Sequence, residues 1–398
     1  MQEELSMRKE TLIAGFEKEF GATPDRFFSA PGRTELSGNH TDHQHGRVLA
    51  AAVNLDMQAA VRENGENIIR VCSKGFPTNE IDLSVLTPIK EEENTTAALI
   101  RGVAAQFVQL GCKVKGFDLY MESTVLPGSG LSSSAAFEVL MGTVMNGLFF
   151  ENKLDMPQIA MIGQKAENVF FGKPCGLMDQ MASAVGGMVT IDFEDPKKPV
   201  IRKVDFDFSS CDHALCIIDT RASHAELTDE YAAITRELKA ISNYFGKDVL
   251  RQVEEKDFYQ ALPVLRERFG DRAVLRAIHF FEENERVVRQ VAALEKGDFA
   301  TYLQEMKESG RSSYMYLQNV VPTGATVHQE VGLTLALCGK LLGSRGGYRV
   351  HGGGFAGTVQ AFVPNDMVDA FRKGIDAVLG NGACHILSIR KDGGIENK

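Results

Sequence analysis

The sequence predicts a mixed helix-and-strand protein of two domains, and three observations carry that reading. Its 398 residues are enough for two separate cores. Segments with apolar residues at helical spacing are interleaved with short runs of strand character. Past residue 210 one more apolar run is followed by a long helix-rich stretch, which sets the expected division at 1–210 and 211–398.

Taken in order, Leu5, Leu12, Ile13, Phe16 and Phe20 mark an amphipathic helix over 5–20 that stops at Gly21. Val48–Val53 and Met57–Val61 are apolar runs that predict two buried strands. Leu99, Val103, Phe107 and Leu110 share a helical face over 96–110, with Gly111 as the stop. Phe117, Leu119 and Met121 alternate with Asp118, Tyr120 and Glu122, the period of a half-buried strand. Ala136, Val139, Leu140, Val144 and Leu148 then predict a helix, and Asp155 with Pro157 starts another that runs to Gly172. Residues 214–218 predict a fully buried strand, and helices follow to about 340.

An apolar share of 44% with 24% charged residues is that of a globular domain rather than a disordered or membrane chain. No apolar run approaches the ~18 residues that cross a bilayer, and residues 1–5 lack a basic region leading into an apolar core, so a cytoplasmic location is expected. The seven cysteines form no C-x-x-C pair, which argues for reduced thiols rather than a disulfide framework or a zinc knuckle. A formal charge of −10 argues against broad contact with nucleic acid or an anionic membrane. A phosphorylated ligand would have to be held by local features: helix ends, backbone N–H groups, Mg²⁺ and a few cations.

One such feature is Leu126-Pro127-Gly128-Ser129-Gly130-Leu131-Ser132-Ser133-Ser134-Ala135-Ala136, a glycine-rich turn that runs through three consecutive hydroxyls into a helix. Glycines admit close backbone approach, and a helix N-terminus favours an anion. No Lys precedes the serines as a Walker loop requires, so this is another kind of phosphate cradle. Taken alone, the segment fits a capped Gly/Ser linker equally well.

Three further segments accompany it: Ser29-Ala30-Pro31-Gly32-Arg33 through His43, Gly172-Lys173-Pro174-Cys175-Gly176-Leu177-Met178-Asp179-Gln180, and His351-Gly352-Gly353-Gly354-Phe355-Ala356-Gly357. In this order, and across nearly the whole chain, the four segments resemble the galactokinases of the GHMP kinase superfamily. The resemblance implies an α+β chain with an N-terminal domain like ribosomal protein S5 domain 2 and a ferredoxin-like C-terminal domain, with the active site between them. It implies Asp179 and Arg33 as the catalytic pair, an ionised carboxylate beside a cation. It implies sugar contacts from Asn39, His40, Asp42, Gly176 and Tyr231, although the local match at Tyr231 fits a structural tyrosine nearly as well. Nucleotide contacts are implied for Gly128, Ser129, Gly130, Leu131, Ser132, Ser133, Ser134 and Ala135, and Mg²⁺ ligands for Glu167 and for Ser133 or Ser134. Without the resemblance, Glu167 would read as a solvated helix position and the serines as N-caps.

His40, Asp42, His43 and His45 do not make a transition-metal site: in an extended segment His40 and Asp42 share one face while His43 and His45 share the other. The resemblance implies ATP-dependent phosphorylation of a sugar at C1, with galactose the leading substrate, ATP the donor and Mg²⁺ the cofactor. Two alternatives accompany it, a kinase for a C6-altered galactose such as galacturonate and a non-catalytic galactose- and ATP-binding regulator. The first arises because the usual Gly-Arg-x-Asn-Leu-Ile-Gly-Glu-His-Thr-Asp-Tyr has Glu35, Asn39 and His43 here, with Arg47 nearby as a possible partner for a uronate. The second is opposed by the intact serine run, Arg33 and Asp179. The oligomeric state has no sequence signal.

Overall fold

Two sheets organise residues 2–125, 130–223 and 227–397, which the computed structural model describes. The first is built from β1 (Arg26–Ser37), β2 (Arg47–Glu63), β3 (Ile68–Ser73), β4 (Asn79–Asp82), β5 (Phe117–Ser123), β6 (Met188–Asp192) and β7 (Val200–Lys203). The second has the order β11–β8–β10–β9, from β8 (His213–Asp219), β9 (Gly347–His351), β10 (Thr358–Pro364) and β11 (Cys384–Leu387), paired antiparallel throughout. A last strand, β12 (Ile395–Asn397), returns to the first sheet and pairs with β1, giving the order β12–β1–β2–β5–β3–β4, with β6 on β2 and β7 outside it.

Helices α1 (Gln2–Phe20), α2 (Thr96–Gln109), α3 (Ser133–Phe149), α4 (Met156–Ala166) and α5 (Met178–Val185) belong to the first half of the chain. The second half supplies α6 (Thr228–Tyr244), α7 (Glu255–Gln260), α8 (Leu262–Phe269), α9 (Asp271–Glu295), α10 (Phe299–Ser312), α11 (Glu330–Leu342) and α12 (Val368–Leu379). In α3 every residue from Ala135 to Asn146 is buried, as expected of a helix apolar all round. It lies against β1, α2, α4 and α5.

Two sequence expectations change in detail. Val48–Val53 and Met57–Val61 are one strand, because β1 runs beside both halves of β2 and only Asn54 and Leu55 rise out of the core between them. The helix begun by the Asp155 capping box ends at Ala166, and a π-helical turn, Glu167–Phe171, carries the chain on to Gly172. Residue 210 lies in the turn before β8, and the main apolar core takes residues from both sides of it, from Phe28 and Leu140 to Ile217, Val291 and Phe362.

The segment leading to β12 crosses it as well. The Asn54 N–H donates to the Ser388 carbonyl and the Gly187 N–H to Arg390, while the Arg390 guanidinium reaches Asp56 at 2.9 Å. Gly186 and Gly393 meet backbone to backbone, so a Cβ on either would overlap the other's main chain. This contact braces the C-terminal end of α5.

Candidate active site

β1 places the first functional side chain through an irregularity. Pro31 has no N–H to give the ladder, and the register with β2 slips between Pro31 and Arg33, so Gly32 bulges toward the serine loop. A Cβ at Gly32 would lie 3.2 Å from the Leu131 carbonyl oxygen. The Arg33 N–H donates to that same carbonyl at 3.1 Å, and its guanidinium donates to the Gly130 carbonyl and, through Nε, to Asp179 Oδ1 at 2.7 Å. Backbone and side chain of one residue thus bind the loop and the carboxylate together.

Asp179 lies in the first turn of α5, whose Ser183 hydroxyl is tied to the Pro31 carbonyl at 2.7 Å. Its second oxygen accepts from the Ser132 hydroxyl. Burial pushes the carboxyl up, but the Arg33 charge and the hydrogen bonds from Arg33 and Ser132 outweigh it and hold Asp179 below the usual carboxylate range. Its side chain is one-third exposed (33%) while that of Arg33 is 6% exposed, so the carboxylate is the accessible member of a pair whose guanidinium is buried.

Ser132 occupies the N-cap position of α3, but its side chain makes no cap hydrogen bond. Ser132 takes the left-handed conformation (φ 53°) and turns its hydroxyl to Asp179, while Ser134 Oγ lies 3.5 Å from Glu167 Oε1. Glu167 opens the π turn and is 3% exposed, because it continues the buried face of α4 set by Ala160 and Gly163. Gln180 Nε2 donates at 2.9 Å to both Glu167 Oε2 and Glu138 Oε2. Burial and the neighbouring Glu167 push the Glu138 carboxyl well above its usual range. The oxygens of Ser134 and Glu167 form a hard-oxygen set of the kind Mg²⁺ takes. Gly128 and Ser129 lie outside the described residues.

The sugar-motif residues gather on the third glycine segment, each through a different carbonyl. Asn39 Nδ2 donates to Gly352 at 2.6 Å, His40 Nε2 to Gly353 at 2.9 Å and the Tyr231 hydroxyl to Gly354 at 2.9 Å. Because a carbonyl only accepts, His40 carries its proton on Nε2. Burial brings its pKa down to about 4, so the ring is neutral. Asp42 closes on Gly176 from the other side, where any Cβ would overlap its Oδ2. Asn39 differs from its neighbours. It is fully buried, and its amide is occupied on all sides, by Glu35 Oε1 (3.1 Å) and Gly352 on the donor side and by Ser313 Oγ (3.2 Å) and Asn319 Nδ2 (2.9 Å) on the acceptor side. It holds the loop from beneath rather than offering a free group to a ligand. Arg47 is likewise engaged, by Asp192 at 2.8 Å and Glu285 at 2.9 Å, which removes it as a partner for a uronate.

Several structural partners had no role assigned from the sequence. Glu35 and Arg349 form a buried pair at 2.8 Å. Glu283 on α9 accepts from the Gly38 N–H (3.0 Å), Ser309 and Arg286, and burial notwithstanding, the Arg286 charge holds its carboxyl down at about 2. His351 stands under the serine loop: it accepts the Glu35 N–H on Nε2 (3.2 Å) and lies close to where a Cβ of Gly130 would be. Gln180 and His351 were within reach of sequence reading, since each lies in a quoted glycine-rich segment; Glu283 and Arg349 were not.

Residues 98–187 match the family model "GHMP kinases N terminal domain", and residues 14–63 match the "Galactokinase galactose-binding signature". The chain is 32% identical over 366 residues to a galactokinase of Glaesserella parasuis, covering 90% of both proteins. It is 33% identical over 378 residues to one of Streptomyces coelicolor, covering 92% of both. Among solved structures, that of Lactococcus lactis galactokinase complexed with galactose superposes with a TM-score of 0.83 at 25% identity, over 97% of this chain and 99% of that one. A mevalonate kinase structure shares the fold at a TM-score of 0.64 and 15% identity, over 92% and 99% of the two chains.

Proposed function

This chain belongs to the galactokinase family of the GHMP kinases, and from that premise we propose that it transfers the terminal phosphoryl group of ATP to the C1 hydroxyl of α-D-galactose. The observation that carries the reading is the Arg33–Asp179 pair, set where the sugar-motif strand, the serine loop and the Asp-Gln helix meet. Asp179 is ionised and one-third exposed, so it can accept the proton of the C1 hydroxyl as that oxygen bonds to the γ-phosphorus. The bond from phosphorus to the β–γ bridging oxygen breaks, ADP leaves, and the proton rests on Asp179 until solvent takes it. Arg33 counters the negative charge gathering on the attacking oxygen. Ser132, bonded to Asp179, fixes the orientation of the carboxylate.

His40, Asp42, Gly176 and Tyr231 are assigned to the sugar and Asn39 to the support of the loop that carries them. Gly130 to Ala135 and the N-terminus of α3 are assigned to the phosphates, as are Gly128 and Ser129 by their place in the sequence motif. Glu167, Ser134 and Ser133 would hold Mg²⁺, which when bound offsets the charge on the phosphates. The cysteines are all free thiols, which supports a cytoplasmic enzyme. A C6-altered sugar as principal substrate loses its two supports, since Asn39 is sealed beneath the loop and Arg47 is paired elsewhere.

Measuring ADP release with galactose, galacturonate and glucose tests the reading. Galactose should give the highest kcat/KM; a purified, folded protein that releases no ADP with any of the three would refute it.

A further inference from the structure

Phosphoryl transfer needs positive charge on the group in transit, and a protein of formal charge −10 must supply it locally. Arg33 is already committed, to Asp179 and the Gly130 carbonyl, on the side of the attacking oxygen. Lys173 is placed differently. Its ammonium lies 3.6 Å from Glu167 Oε1, and its charge acts on Asp179 and Glu138 as well. Its side chain is 62% exposed whereas that of Glu167 is 4% exposed, so the lysine approaches the buried carboxylate from solvent.

The backbone at this point is fixed while the side chain is not. The Lys173 N–H donates to the Glu167 carbonyl at 3.2 Å, Gly172 before it takes φ 85°, and Pro174 after it restricts its own backbone to extended conformations. The 3.6 Å contact exceeds the 2.7–3.2 Å range of an N–H···O hydrogen bond, and such exposed pairs contribute only about 0–1 kcal/mol. A flexible stem therefore carries a weakly held cation from a rigid base, beside both the proposed metal ligand and the proposed base.

We propose that Lys173 binds the phosphoryl group being transferred, leaving Glu167 for the γ-phosphate oxygens when ATP occupies the serine loop. The proposal rests on the phosphotransfer reading above and adds to it a residue that touches the reacting group. The ammonium contributes no proton to the reaction; it neutralises charge on the non-bridging oxygens.

The test compares wild type, Lys173→Met and Lys173→Arg by calorimetric titration with Mg·ADP and with the non-hydrolysable Mg·AMP-PNP, alongside turnover on galactose. Lys173→Met should weaken AMP-PNP about tenfold, ~1.4 kcal/mol, and ADP by less than about threefold. Its kcat should fall roughly 10- to 100-fold with the galactose KM unchanged, and Lys173→Arg should recover most of both losses. An AMP-PNP to ADP affinity ratio unchanged in Lys173→Met would overturn the assignment, as would an unchanged kcat. A wild type that binds both nucleotides but does not turn over galactose would instead refute the phosphotransfer reading.

Discussion

Exchanging residues 35 and 39 probes the buried polar floor of the sugar loop. In the wild type the buried Glu35 carboxylate accepts from the Asn39 amide (3.1 Å) and from Arg349 Nη2 (2.8 Å), which makes it the centre of an amide–carboxylate–guanidinium set out of contact with water. Asn39→Glu removes the donors to Gly352 and Glu35 and sets a second carboxylate about as far from Glu35 as one hydrogen bond, ~3 Å. An uncompensated buried charge costs ~3–5 kcal/mol, and a stranded carbonyl adds to it, so we expect a destabilisation of about 4 kcal/mol. Glu35→Asn leaves the Arg349 guanidinium without its carboxylate and should cost about as much. The reciprocal double variant again has one carboxylate, one amide and one guanidinium, and should be more stable than the sum of the singles predicts by about 3 kcal/mol. Urea unfolding of the four proteins, followed by circular dichroism, measures that coupling. Additivity within about 0.5 kcal/mol would refute the picture of a shared neutral set. The ratio of kcat/KM for galactose to galacturonate should be the same in wild type and Asn39→Glu; a tenfold shift would show that position 39 faces the sugar after all.

Asp179→Asn should retain calorimetric binding of ADP while kcat falls by ~10²–10⁴. An activity above about a tenth of wild type would remove Asp179 as the proton acceptor. Glu167→Gln should raise the Mg²⁺ concentration needed for half-maximal rate, and an unshifted Mg²⁺ titration would exclude Glu167 from the metal. The pH profile follows from two depressed pKa values: Asp179 stays ionised below the usual carboxylate pKa of ~3.9, and His40, at about 4, is neutral throughout the working range. kcat/KM should therefore be flat between about pH 5.5 and 8 and fall only on the acid side, whereas an inflection near the ordinary histidine pKa of ~6.5 would contradict the neutral ring.

Most of the secondary structure and the centre of the site were legible because local signals carry them. Period and stop residues mark α2 and β5, and glycine-rich segments mark the loops that must approach a ligand closely. The sequence misleads where the decisive neighbour is distant. The run 47–63 reads as two strands because Asn54 interrupts its hydrophobicity, and only the presence of β1 along both halves makes it one. Asn39 reads as a sugar contact from its place in the motif, yet its orientation is set by Ser313 and Asn319, more than 270 positions away. The helix toward Gly172 reads as continuous, and nothing in its composition announces the π turn that follows Ala166.

The return of residues 388–397 to the first sheet separates the order in which this protein is synthesised from the order in which it can be completed. Arg26 and Glu396 face each other 370 positions apart, and until the later segment is made β1 presents an open edge to the surroundings of the nascent chain. Its first half therefore has to wait, with the Arg33 strand half-paired and the Asp179 helix without the Gly186–Gly393 brace. Severing the chain near residue 388 would leave every reacting group in place in the sequence and still release the edge and the brace that hold two of them.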